Sequence, residues 1–137
     1  MSWKKVFCKT ILTRNERGEI IAVTDEENRT VAIDRDIMGR VTKETSPSGR
    51  IVHYEYGGSG CQSCGGDLKL TKITDPGNNI WEFKYDIMGN ATEMIYPDGT
   101  RIKQDYDLAN RLIQFTNKRN QSIHYQYDTD GRLIKKT

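Results

Sequence analysis

Tyr85-Asp86-Ile87-Met88-Gly89 is a stretch to which the chain keeps returning. Tyr106-Asp107-Leu108-Ala109-Asn110 follows 21 residues later, and Tyr127-Asp128-Thr129-Asp130-Gly131 another 21 after that. Upstream, Arg35-Asp36-Ile37-Met38-Gly39 and Arg14-Asn15-Glu16-Arg17-Gly18 keep the same interval of 21. Gly57, in the pair Tyr56-Gly57, lies 21 residues after Asp36 and 29 before Asp86, so one copy carries an insertion of eight. A fixed period of this length identifies an array of small units that bury their apolar faces only by lying side by side.

Each copy is punctuated at two places. Three residues after the Asp position stand Gly18, Gly39, Gly89, Asn110 and Gly131. Thirteen residues after it stand Asn28, Gly49, Gly99 and Asn120, with Asn78 equivalent once the insertion is removed. Gly and Asn are the residues that accept a left-handed backbone. Their exclusive use predicts two left-handed bends per repeat. Ser46-Pro47-Ser48-Gly49, Asp75-Pro76-Gly77-Asn78 and Tyr96-Pro97-Asp98-Gly99 read as type I turns closed by a left-handed residue. The units that begin at Asp36, Asp86, Asp107 and Asp128 read as a second turn of the same kind. Their Asp accepts hydrogen bonds from the backbone ahead of it.

Between bends the pattern has period two, the strand period. Trp81, Phe83 and Tyr85 alternate with Glu82 and Lys84; Ile123, Tyr125 and Tyr127 alternate with His124 and Gln126; Val52, Tyr54 and Tyr56 alternate with His53 and Glu55. The other strand of each copy begins at Ile20, Val41, Leu70, Ala91, Leu112 or Leu133. A second apolar residue comes three later at Val23, Ile73, Met94 and Phe115. An odd step of this kind predicts a β-bulge. No segment has helical periodicity or caps. The expected fold is all-β: an array of antiparallel hairpins forming a curled or spiralling sheet, a segment of a larger β-shell. It holds about five and a half hairpins, or ten or so strands. Residues 1–14 are a lead-in or partial repeat, and 15–137 the array, with a Cys-bearing insertion at about 57–66.

The 137 residues carry 21 basic and 19 acidic side chains, scattered without a basic stripe, so no nucleic-acid partner is expected. Mean hydropathy is −0.75, which suits strands that bury one face and wet the other. No apolar run is long enough for a membrane helix. Lys9 interrupts the N-terminal apolar run too early for a signal peptide.

Tyr-Asp-x-x-Gly-Arg-Leu at this spacing resembles the YD-repeat, or RHS-repeat, family. Tyr127-Asp128-Thr129-Asp130-Gly131-Arg132-Leu133 matches it throughout, and Asp36-Ile37-Met38-Gly39-Arg40-Val41 and Tyr85-Asp86-Ile87-Met88-Gly89-Asn90 with single departures. The resemblance implies a spiralling sheet of hairpins, as in bacterial RHS proteins and insecticidal-toxin C components, where a hollow shell encloses a toxic domain. In teneurins a similar barrel serves adhesion. It also implies secretion or a cell-surface location, neighbouring repeats as partners and an enclosed toxin domain. On these grounds the chain is expected to be a non-catalytic structural module, with a carbohydrate-binding or adhesion module as the alternative.

The one element outside the repeat is Gly57-Gly58-Ser59-Gly60-Cys61-Gln62-Ser63-Cys64-Gly65-Gly66. Cys61 and Cys64 can chelate a metal such as zinc, close a strained disulfide or remain two thiols. A structural zinc needs four ligands and the loop supplies two; Cys8 is a third, and His53 another if its strand face turns toward the loop. No other cofactor is expected. His53 and His124 share one repeat position and read as a solvated face. Tyr54, Trp81, Phe83, Tyr106, Tyr125 and Tyr127 form an aromatic strand face that packs against neighbouring hairpins or, on the alternative reading, meets a glycan. A sheet of this kind also ends in two free edges, so self-association through edge strands is expected.

Overall fold

The computed structural model describes residues 9–57 and 69–137. Every regular element among them is a strand: β1 Ile11–Arg14, β2 Ile20–Thr24, β3 Thr30–Arg35, β4 Val41–Thr45, β5 Ile51–Tyr56, β6 Leu70–Thr74, β7 Ile80–Tyr85, β8 Ala91–Ile95, β9 Arg101–Tyr106, β10 Leu112–Thr116, β11 Ser122–Tyr127 and β12 Leu133–Lys136. The described count is twelve, where ten or so was expected. Five and a half hairpins already include β12, which opens at Leu133; the strand beyond them is β1, within the lead-in, which pairs with β2.

Two compact units divide between Tyr54 and Glu55, inside β5. In the first, β1 to β5 pair antiparallel in chain order. In the second, β6 to β12 do the same. The expected all-β array of antiparallel hairpins is therefore what the chain forms.

The two strand classes differ for a reason already present in the sequence. The six-residue strands β3, β7, β9 and β11 alternate strictly between exposed and half-buried residues. The five-residue class carries the bulge. Asp34 faces Lys43 and Arg35 faces Val41, so Thr42 has no opposite number. Thr92, Ile113 and Ile134 are left over in the same way, as is Ile21. One extra residue lets positions three apart share a face. Ala91 then meets Tyr85 while Met94 meets Phe83; Tyr85, Phe83 and Met94 are half-buried and Ala91 is exposed.

Apolar cross-strand pairs recur there: Val23 with Val31, Ile73 with Trp81, Met94 with Ile102, and Phe115 with Ile123. Each contributes roughly 0.2–1 kcal/mol. Among the described residues no side chain is fully buried. Stability is thus distributed over many weak pairs instead of concentrated in a core.

The wet face is held in register by charge. Lys43 meets Asp34 at 2.9 Å, Lys72 meets Glu55 at 2.9 Å, and Glu93 takes Lys84 at 2.7 Å and Arg101 at 3.0 Å. Exposed ion pairs add little stability, but opposite charges across a ladder disfavour a slipped pairing. No helix among the described residues is long and apolar enough to cross a membrane.

Candidate functional site: turns, clamps and apolar tips

The recurring residues build one turn, used at both ends of the strands. At Asp36, the Gly39 N–H donates to the Asp36 carbonyl and the Asp36 N–H to the Arg40 carbonyl, both at 3.0 Å. The same pair of bonds closes the turns at Asn15, Asp25, Ser46, Asp75, Asp86, Tyr96, Asp107, Asn117 and Asp128. The fourth residue is left-handed each time: Gly18, Gly39, Gly49, Gly89, Gly99 and Gly131, and Asn28, Asn78, Asn110 and Asn120. The insertion is closed at its base by the equivalent bond, Gly57 N–H to Lys69 carbonyl at 3.0 Å, with Gly57 at φ 86°.

The first residue locks the loop from within. Asp36 Oδ1 accepts from the Met38 and Arg40 N–H groups at 2.9 and 3.0 Å, and Oδ2 from Arg40 Nε at 2.7 Å. Asp86 repeats this with Met88 and Asn90, and Asp107 with Ala109 and Arg111. Asp128 accepts from the Arg132 N–H at 2.8 Å. Where Tyr96 occupies the first position, Asp98 takes the Thr100 N–H at 2.9 Å instead.

These bonds favour the charged carboxylate. The Arg29 N–H holds the Asp25 carboxyl below its ordinary value of 3.8, and the Arg111 N–H does so for Asp107. The Asn79 side-chain amide lowers Asp75. At Asp36 and Asp86 partial desolvation opposes the shift, and the hydrogen bonds from Arg40 and Asn90 outweigh it. A folded value below the unfolded one means stability that is full above 3.8 and lost as pH falls through the lower folded values. The melting temperature is therefore expected to drop in that acid window. A chain carrying Asp25→Asn, Asp75→Asn and Asp107→Asn should show a flatter profile in thermal melts between pH 2 and pH 5; an unchanged slope would rule the mechanism out.

The tyrosine before the Asp does separate work. Tyr85 Oη donates to the Leu70 carbonyl and Tyr127 Oη to the Leu112 carbonyl, both at 2.8 Å. Arg35 holds the same position and sends Nε to the Ile20 carbonyl at 2.9 Å. In each case the acceptor is the residue that opens the bulged strand. The side chain thus serves as a clamp across the hairpin, supplying a donor where the ladder is locally interrupted.

One class of residue in these turns answers to no backbone requirement. Ile37, Ile87 and Leu108 are 86, 73 and 106% exposed, and Met38 and Met88 are also exposed. They occupy the second and third positions of the turns at Asp36, Asp86 and Asp107. The same positions in the other turns are Glu16-Arg17, Glu26-Glu27, Pro47-Ser48, Pro76-Gly77, Pro97-Asp98, Lys118-Arg119 and Thr129-Asp130. The same turn bonds with charged, polar or Pro-Gly tips show that folding does not demand the large apolar ones. Ile87→Ser is accordingly expected to change stability by less than about 0.5 kcal/mol in urea titration.

The groups singled out for chemistry do not converge. His53 and His124 are exposed, each on the wet face of its strand. The oxygens of Asp36, Asp86 and Asp107 are occupied by their own turns. An open groove of about 610 Å³ beside the turns at Asn15 and Asp36 is lined by Arg17, Glu19, Asp34 and Arg35, each already bonded to a neighbour. No group of three or more metal-ligating side chains occurs among the described residues. Cys8, Cys61 and Cys64 lie outside them. Tyr54, Trp81, Phe83, Tyr106, Tyr125 and Tyr127 are all half-buried, each on the apolar side of its own strand.

A family model described as "Teneurin YD-shell" matches residues 13–137. The chain is 23% identical over 119 residues to double-stranded DNA deaminase toxin A of Burkholderia cenocepacia (strain H111), covering 87% of this chain and 8% of that protein. It is similar in fold to TcdB2-TccC3 solved without its hypervariable C-terminal region, with a TM-score of 0.70 at 16% identity over 94% of this chain and 7% of that one. A second TcdB2-TccC3 structure gives a TM-score of 0.65 at 15% identity, over 91% and 7%. The chain thus spans less than a tenth of the length of each of these relatives.

Proposed function

We propose that this chain, which belongs to the teneurin YD-shell family, is a non-catalytic structural module that contributes hairpins to an enclosing β-sheet wall. The observation that carries the reading is a half-buried apolar face without a core. Trp81, Phe83, Tyr85, Tyr106, Tyr125 and Tyr127 line one side of their strands, yet nothing in the described chain covers them completely. A sheet with one dry and one wet face is half of a layered structure. A toxin domain is the proposed occupant of the dry side, and secretion or display at the cell surface the proposed setting. Deaminase activity, named for one relative, is not carried over, because the similarity covers 8% of that protein. The glycan-binding alternative gains no support from the relatives.

Limited proteolysis of the natural gene product tests the reading. If the array encloses a domain, that domain should survive in the wild type and be cleaved in a Gly89→Val, Gly131→Val variant whose turns are broken. Equal cleavage in the two would overturn enclosure. Zinc at Cys61 and Cys64 remains a separate proposal, checked by elemental analysis of the purified protein.

A further inference from the structure

We infer that Asp130-Gly131 is a site of spontaneous backbone modification, where aspartate turns into isoaspartate through a cyclic imide. Only two of the chain's aspartates precede a glycine, Asp98 and Asp130. A glycine there favours the reaction, because the absent Cβ leaves its nitrogen open to the carboxyl group. The two sites share one turn geometry. Asp98 and Asp130 are each the third residue, and Gly99 and Gly131 the left-handed fourth, at φ 77° and 81°. The Gly99 N–H donates to the Tyr96 carbonyl at 2.9 Å and the Gly131 N–H to the Asp128 carbonyl at 3.1 Å. The nucleophile is therefore held alike in both.

The carboxyl group is not. At Asp98, Oδ1 accepts from the Thr100 N–H at 2.9 Å and from Thr100 Oγ1 at 2.6 Å. Asp130 accepts no side-chain hydrogen bond among the described residues; its contact is Arg132 Nη1 at 3.7 Å, with the Asp130 side chain 68% exposed. The reason lies inside the turn. Asp128, in the first position, has taken the Arg132 N–H at 2.8 Å, which leaves none for Asp130. Tyr96, in the same first position, has no carboxylate, so Asp98 takes the N–H of Thr100. An aspartate at position one thus locks itself and releases the aspartate at position three.

The chemistry balances with water alone. The Gly131 nitrogen attacks Asp130 Cγ in the protonated acid; a C–N bond forms, the Cγ–OH bond breaks, and the hydroxyl leaves with the nitrogen's proton as water. Water then adds to one imide carbonyl. Opening at Cγ restores aspartate, and opening at the main-chain carbonyl leaves the chain running through the side chain. The second product lengthens the backbone inside a turn whose bonds set the register of β11 with β12. Thr100 opposes the first step at Asp98, because its hydrogen bonds hold that carboxyl group ionised, below its ordinary value of 3.8. The inference concerns the chemistry of one turn and stands whether or not the array encloses a cargo.

The test follows the 137-residue chain through prolonged incubation at mildly acidic pH in heavy-oxygen water, with isoaspartate located by peptide mapping. Asp130 is expected to convert about tenfold faster than Asp98, the factor that about 1.4 kcal/mol of hydrogen bonding gives. Two exchanges of the first residue reverse the pattern. Tyr96→Asp claims the Thr100 N–H and should raise conversion at Asp98; Asp128→Tyr frees the Arg132 N–H and should lower it at Asp130. Should either variant lose its β-sheet circular dichroism, wild type in guanidinium chloride serves instead. Unfolded, the two Asp-Gly sites are expected to react at similar rates, so their ratio falls toward one. Equal conversion at the two sites of the folded chain, a faster Asp98, folded exchange variants that react as wild type does, or a ratio unchanged by guanidinium would each overturn the inference.

Discussion

Gly39→Val is expected to destabilise the protein by about 2–3 kcal/mol, because a β-branched residue is forced into the left-handed region. Gly39 sits at φ 83°, where an L side chain is strained whatever the space around it. Space is also short: a Cβ there would run into Glu19 Oε1, so the Glu19 side chain must move. Glu19 is not idle, since its other oxygen accepts from Asn15 Nδ2 at 2.7 Å. Displacing it loosens the neighbouring turn as well as the substituted one. Gly18 provides the control, with φ 79° and nothing within 4 Å of the place a Cβ would take. Gly18→Ala should therefore cost only the backbone strain, about 1–2 kcal/mol, and Gly39→Ala measurably more. Asn110→Gly should cost no more than about 0.5–1 kcal/mol: the bend is already left-handed at φ 60°, and what is lost is the exposed bond that its Oδ1 accepts from Asn90 Nδ2 at 2.9 Å. Urea denaturation of the four variants checks the ranking. If Gly39→Val proved no worse than Asn110→Gly, the turns would not be what fixes the array.

Tyr85→Ala is the second large effect, expected at about 2–3 kcal/mol, and Tyr85→Phe separates its two sources. The ring is half-buried, lies opposite Ala91 and carries Lys69 Nζ 5.6 Å from its centroid. Burial pushes the phenol up, so the hydroxyl remains a donor at any physiological pH. Phe keeps the ring and removes only the 2.8 Å bond to the Leu70 carbonyl, which should cost about 1 kcal/mol. The rest of the Ala effect is lost packing. Hydrogen exchange is the sharper readout: β6 and β7 should lose protection in Tyr85→Phe while β10 and β11 keep theirs. Uniform loss, or none, would mean that the hydroxyl does not clamp its own hairpin.

What the sequence discloses here is whatever depends on spacing alone. Trp81, Phe83 and Tyr85 on every second residue announce a strand, and Asn or Gly at ten bends announces where strands stop. The three-residue step from Ala91 to Met94 announces a bulge, although only the ladder shows that Thr92 is the residue left over. The clamp is not legible in the same way. Tyr85 and Leu70 are fifteen residues apart, and their contact depends on how far the hairpin's register carries one past the other. Arg35 hides the rule further by doing a tyrosine's work with a guanidinium. The apolar tips stand in plain sight as members of the recurring motif. Motif reading accounts for Asp36 and Gly39 and passes over Ile37 and Met38 between them; their exposure, together with other residues at the same positions of turns with the same bonds, shows that the turn does not need them.

Strand order within each unit follows the chain without a single crossover. Every ladder can therefore form as soon as its second strand has been synthesised, with no distant segment to wait for. A nascent polypeptide of this design gains one finished hairpin for roughly each 21 residues that leave the ribosome, and exposes only its newest strand while it grows.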